Sequence, residues 1–104
     1  LPKTAWPPTK IDSFEKLKNL GKKSFENCEN LKEIILSEEL EEIPEKTFFR
    51  CKNLEKIIIP SSVKVIGKEA FAFCSNLKYV IYNGDKNSIN ISEDAFNGCN
   101  NLMV

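Results

Sequence analysis

The sequence has no histidine, one methionine, one tryptophan and only four glycines in 104 residues. Without histidine, the commonest general acid-base group and a frequent metal ligand are both missing. No glycine-rich phosphate loop and no nucleophile elbow can be found. No set of residues therefore assembles into an active site, and an enzyme is not expected. An excess charge of one sign is lacking too, because 15 Lys plus Arg balance 15 Asp plus Glu. Neither nucleic acid nor an anionic membrane surface is an expected partner. No apolar run approaches the roughly 18 residues of a membrane span, so no membrane insertion is expected. No signal peptide opens the sequence, and a first residue of Leu1 reads as a processed chain or an excised fragment.

What the sequence does contain is one unit, repeated. The pattern Phe-x-x-Cys-x-Asn-Leu occurs at Phe25, Cys28, Asn30 and Leu31, then at Phe48, Cys51, Asn53 and Leu54. It returns at Phe71, Cys74, Asn76 and Leu77, and a fourth time at Phe96, Cys99, Asn101 and Leu102, in steps of 23, 23 and 25 residues. Self-similarity at a period in the twenties marks a solenoid, whose units bury their apolar faces only by stacking.

The domain reading is an extended lead-in over 1–10, rich in proline, followed by a single solenoid over 11–104. That solenoid comprises a degraded half-repeat, two full repeats, one irregular repeat and a truncated last coil. Trp6 reads as a lid over the open end of the core. The opening Leu1-Pro-Lys-Thr-Ala5 resembles a sortase sorting motif, but that signal needs a hydrophobic tail near a C-terminus, and coincidence is the better reading. In the half-repeat, Ile11, Leu17, Leu20 and Phe25 sit one period before Ile34, Leu40, Ile43 and Phe48, and Ser13 with Phe14 also offers a capping helical turn.

Within a full repeat, Leu31-x-x-Ile34-x-Leu36 and Leu54-x-x-Ile57-x-Ile59 predict short strands with alternate residues inward. Leu40 with Ile43, and Val63 with Ile66, predict a second short extended segment. The stretches after Pro44 and Gly67 have room only for a helical turn. The asparagines fall just before each strand, where an amide can satisfy backbone groups of the turn and of the next coil. After Tyr82 the pattern breaks, with an Asn83-Gly84-Asp85 turn signal and two extra residues.

Four cysteines raise the question of disulfides or zinc. They occur singly, once per repeat, with no close pair, so no metal and no other cofactor is expected. A slot repeated in every unit reads as packing, and free buried thiols are expected. A coil separation within the roughly 4.4–6.8 Å that a disulfide tolerates would leave oxidation open.

Charges repeat as well. Lys18, Glu41 and Lys64 form one alternating column, Lys22, Glu45 and Lys68 a second, and Lys32, Glu55 and Lys78 a third. Facing opposite charges would fix which coil face meets which. The stripe Glu38, Glu39, Glu41, Glu42 and Glu45 reads as structural rather than as a cation site.

The run from Asn53 to Cys74, Asn-Leu-x-x-Ile-x-Ile-Pro-x-x-Val-x-x-Ile-Gly-x-x-Ala-Phe-x-x-Cys, resembles the BspA-like leucine-rich-repeat family. The likeness covers roughly residues 25–104. It implies a leucine-rich-repeat solenoid, mostly β, built from short parallel strands with turns and short helical turns. It also implies a secreted or cell-surface location and an adhesion-type role in binding a host or cell-surface protein. The family carries no catalytic residues to transfer.

The outward strand positions give the candidate site as two columns, Glu33, Lys56 and Tyr79, and Ile35, Ile58 and Ile81. Nothing in the core requires the isoleucines, and an apolar strip beside Tyr79 is the kind of surface that marks protein contacts. Two alternatives stay open. β-Branched residues suit strands in any case, and the repeats could be a structural spacer in a larger surface protein with no ligand of its own. The chain stops at Leu102-Met-Val104, where another strand is due. Self-association through the inward column Val80, Tyr82, Ile91 and Phe96 is expected if the chain is whole, and a further repeat belongs there if the parent is longer.

Overall fold

The computed structural model of the protein describes residues 10–11 and 20–103. Trp6, the sorting-like opening and the capping turn at Ser13 lie outside the described residues. Among the described residues there are seven short strands: β1 (Lys10–Ile11), β2 (Glu33–Ile35), β3 (Glu42–Ile43), β4 (Lys56–Ile59), β5 (Val65–Ile66), β6 (Tyr79–Tyr82) and β7 (Asn90–Ile91). They form two parallel sheets, ordered β1-β2-β4-β6 and β3-β5-β7. Consecutive pairings of the first sheet advance by one repeat, joining Ile11 to Ile34, Ile34 to Ile57 and Ile57 to Val80. The 23-residue period is therefore the strand register itself.

The alternation of each strand explains which face it buries. Ile34, Ile57 and Ile59 point inward and are almost wholly buried, while the residues between them are exposed. Ile43 and Ile66 of the second sheet, with Leu40 and Val63 just before its strands, fill the core from the other side, and the leucines of the Asn-Leu pairs close it. Between these walls the phenylalanines stack as a spine. Ring centroids of Phe25 and Phe48 lie 5.5 Å apart, those of Phe48 and Phe71 5.1 Å, and those of Phe71 and Phe96 5.2 Å, all nearly parallel. Offset stacking at such spacings adds about 0.5–1.5 kcal/mol per pair beyond the burial itself.

Beside the spine runs the cysteine column. The thiol of Cys51 donates to the carbonyl of Phe25 at 3.2 Å, that of Cys74 to Phe48 at 3.1 Å, and that of Cys99 to Phe71 at 3.0 Å. Each of these carbonyls also accepts the amide of the cysteine in its own coil, so the thiol uses its second lone pair. An alanine would fill much of the volume but leave that bond unmade. All four cysteines are free; Cys28, Cys51 and Cys74 are buried and Cys99 is half-buried. Burial, helped by neighbouring Cys51, pushes the Cys28 thiol up to about 11. Cys74 is raised as well, by the neighbouring Cys51 and Cys99 thiols and by burial. Thiols held neutral in this way are poor nucleophiles.

The turns after Pro44 and Gly67 depart from the expected helical turn. Lys23, Lys46 and Glu69, one period apart, take φ between 54° and 59°, and Asn27, Arg50 and Phe73 all take 61°. Gly98 occupies the corresponding place in the last unit at 78°. The reason is where the N–H groups must go. Phe48 donates to Ala70 of the next coil, Arg50 to Ala72, Phe71 to Ala95 and Phe73 to Asn97, at 2.7–2.9 Å. A helical turn would use those donors internally. A left-handed residue costs on the order of 1 kcal/mol for a non-glycine side chain, and the inter-coil hydrogen bonds, about 0.5–1.5 kcal/mol each, offset it. Among the described residues the helical segment is the 3-10 turn Lys86–Ser88.

The asparagine ladder exists, but it reaches backward. Asn53 donates its side-chain amide to the Glu29 carbonyl at 2.6 Å, Asn76 to the Asn53 side chain at 3.3 Å, and Asn101 to the Ser75 carbonyl at 2.6 Å. The charge columns need correcting. Among the described residues, no pair within Lys22/Glu45/Lys68, Lys32/Glu55/Lys78 or Glu41/Lys64 closes to ion-pair distance. The ion pairs that form are Lys52–Glu29 at 3.4 Å and Lys46–Glu69 at 4.0 Å, each also one period apart. Both lie on the turn side.

Candidate protein-interaction face

Parallel pairing of β2, β4 and β6 sets Glu33, Lys56 and Tyr79 side by side, and likewise Ile35, Ile58 and Ile81. All six candidate residues are thereby brought onto one face. Ile35 is 47% exposed, Ile58 40%, Ile81 42% and Tyr79 49%. These are large fractions for three isoleucines in register. Rigid strands hold them, so little side-chain order would have to be gained on binding.

A groove of about 300 Å³ opens along this face, lined by Ile35, Ile58, Pro60, Lys56, Glu38 and Asn83 among others. Its floor is apolar and its rim carries both signs of charge, the arrangement common to protein contacts. Proline at position 60 ends β4, and the irregular loop beginning at Asn83 contributes the far wall. That wall was not foreseen from the sequence: Asn83 stands one period after Pro60, but the loop it opens follows no other repeat.

A second cluster, on the turn side, was also missed. Phe49 and Phe73 meet edge to face at 5.6 Å, with the Lys46 amine 5.1 Å and the Arg50 guanidinium 5.7 Å from the Phe49 ring. Phe73 is exposed although its φ is positive. The signal was a large aromatic at the position held in other units by Asn27, Arg50 and Gly98.

The residues of the last inward column stand at the margin of the core. Val80, Tyr82 and Phe96 are half-buried and Ile91 is exposed, around a cavity of about 210 Å³. Among the described residues, no group of three or more His, Cys, Asp or Glu is placed to hold a metal ion. No helix among them is long and apolar enough to cross a membrane.

Parallel strands stacked at one repeat per turn, an apolar ladder inside and an outward strand face define a leucine-rich-repeat solenoid. The chain belongs to the BspA-type leucine-rich-repeat family, whose model matches six copies over residues 7–103. Solved structures agree. A leucine-rich-repeat protein from Eubacterium ventriosum superimposes with a TM-score of 0.79 at 23% identity, over 91% of this chain and 25% of its own. The pneumococcal vaccine antigen PcpA gives 0.74 at 24%, over 90% and 29%. A leucine-rich cell surface protein from Faecalibacterium prausnitzii gives 0.64 at 25% identity, over 78% and 28%. The chain thus spans between a quarter and a third of the length of these structures. No curated protein matches its sequence significantly.

Proposed function

We propose that the β2-β4-β6 face is an adhesion-type docking surface for a protein partner, carried by a secreted or surface-exposed protein. The observation behind it is the in-register column Ile35, Ile58 and Ile81, exposed beside Tyr79 and opening onto a groove. Catalysis has no place in this reading; the site binds. Surface location is supported by the Faecalibacterium prausnitzii neighbour, which is a leucine-rich cell surface protein.

Replacing Ile35, Ile58 and Ile81 together by threonine keeps the β-branched shape the strands favour and removes the apolar strip. Binding of candidate extracellular proteins by surface plasmon resonance should be lost, with circular dichroism and melting unchanged. Equal binding by the folded triple variant would reject the face.

The spacer reading is favoured by one observation, the quarter to third of each neighbour that the chain spans. It predicts that the threonine variant of the parent protein behaves as wild type in every binding assay. Self-association through Val80, Tyr82, Ile91 and Phe96 is a separate proposal. A sedimentation coefficient that rises with concentration supports it, and a persistent monomer rejects it.

A further inference from the structure

The loop that walls the groove carries a reactive dipeptide. Asparagine is among the thermally labile residues, and its weakness is intramolecular. The backbone nitrogen of the following residue can attack the side-chain carboxamide carbon. A side chain on that following residue hinders the attack, so glycine is the successor that hinders it least. The chain has two such pairs, Asn83-Gly84 and Asn97-Gly98.

The two are held differently. Asn83 is exposed and its amide side chain has no hydrogen-bond partner among the described residues; its own N–H donates to Ile59 at 3.1 Å. The peptide group between Asn83 and Gly84 makes no hydrogen bond to the described residues through either its carbonyl or its N–H. At Asn97 the corresponding carbonyl accepts the Phe73 amide at 2.7 Å, and Asn97 itself donates to Asp94 at 3.2 Å. Attack requires the peptide plane to turn, and a hydrogen bond opposes that turn at the Asn97–Gly98 carbonyl but not at the Asn83–Gly84 peptide.

Nor can the fold readily exchange Gly84 for a protective residue. A Cβ there would fall 2.5 Å from the Tyr82 ring and 3.1 Å from the Ser61 Cα. The Tyr82 hydroxyl is fixed in turn by donating to the Val63 carbonyl at 3.0 Å. Packing thus preserves the labile pair.

We infer that Asn83 is a self-modification site at which the folded chain converts a neutral groove residue into a carboxylate. The Gly84 nitrogen loses its proton and bonds to the Asn83 carboxamide carbon, and the carbon–nitrogen bond of that carboxamide breaks to release ammonia. The resulting five-membered imide is opened by water at one carbonyl or the other, giving aspartate or isoaspartate. The balance is one water in and one ammonia out, with no oxidant or reductant. Because Asn83 lines the groove beside Ile58, Pro60 and Glu38, the product adds a negative charge there. If that groove is the docking site proposed above, the change would weaken an apolar or acidic partner.

The test is incubation of the folded protein at mildly alkaline pH, followed by peptide mapping. Asn83 should gain the mass of an amide-to-acid exchange, with isoaspartate present, ahead of Asn97 and of every Asn-Leu site. In urea-unfolded protein Asn97 should catch up with Asn83. The variant Asn83→Gln, which would need a larger and slower-forming ring, should lose the acidic species seen on isoelectric focusing. Asn97 reacting as fast as Asn83 in the folded chain, or Asn83 reacting only after unfolding, would overturn the inference. These readouts need no binding partner, so they stand or fall apart from the docking proposal. Binding by Asn83→Asp then reports on the groove alone.

Discussion

Truncating Phe71 to alanine removes a ring that is fully buried and stacked on both sides, at 5.1 Å from Phe48 and 5.2 Å from Phe96. Truncations of this kind cost about 3–5 kcal/mol. Two stacking partners and a tightly ringed site with little freedom to collapse put Phe71 at the upper end of that range. Phe96, half-buried and at the margin of the described core, has water on one side already, so Phe96→Ala should cost clearly less. Since a small domain has only about 5–15 kcal/mol of stability in all, Phe71→Leu serves as the milder companion should the alanine variant not fold. The assay is urea unfolding followed by far-ultraviolet circular dichroism, with the m-value held as a check on two-state behaviour. A double-mutant cycle on Phe48 and Phe71 should return a coupling of about 0.5–1.5 kcal/mol. A Phe71→Ala cost below about 1 kcal/mol, or one equal to that of Phe96→Ala, would refute the spine as the centre of the core.

Gly67→Ala should cost about 1–3 kcal/mol by overpacking, because its Cβ would stand 2.8 Å from the Glu45 nitrogen and 2.9 Å from the Pro44 carbonyl carbon; an unchanged melting temperature would contradict this. Thiol labelling should reach half-buried Cys99 first and the other three only on unfolding, with four thiols counted without reductant; two or fewer would show disulfides. Cys28, whose folded value near 11 lies above its ordinary 9.0, binds its proton more tightly when folded. Its contribution is therefore complete below pH 9.0 and is lost as pH rises toward about 11. The urea midpoint should fall across that window, and by less in Cys28→Ala.

The columns of Phe, Cys, Asn and Ile were legible because a solenoid places residues one period apart in contact, so sequence spacing is spatial neighbourhood. Ile34 over Ile57 and Phe48 over Phe71 needed nothing beyond the period. The turns were not legible in the same way. Lys46, Glu69 and Phe73 adopt a conformation their side chains disfavour, and the gain lies in hydrogen bonds to a neighbouring coil that local preference does not register. Charged side chains escaped as well: long and solvated, Lys32, Glu55 and Lys78 can stand in a column without touching. The groove wall at Asn83 depends on the path of an irregular loop, for which no second copy in the sequence offers a comparison.

The step from Phe71 to Phe96 is two residues longer than the others, yet the rings are as close and Cys99 meets the Phe71 carbonyl as well as its counterparts do. The surplus is taken up where the loop curls into the Lys86–Ser88 turn, pinned by the Asp85 side chain accepting from the Asn87 amide at 2.9 Å. Circumference and pitch are therefore independent in this architecture: a coil can grow outward without moving the ones stacked on it. Lys86, Asn87 and Ser88 are all exposed, so a grafted peptide placed among them would be displayed at the side of the solenoid while the interior kept its spacing.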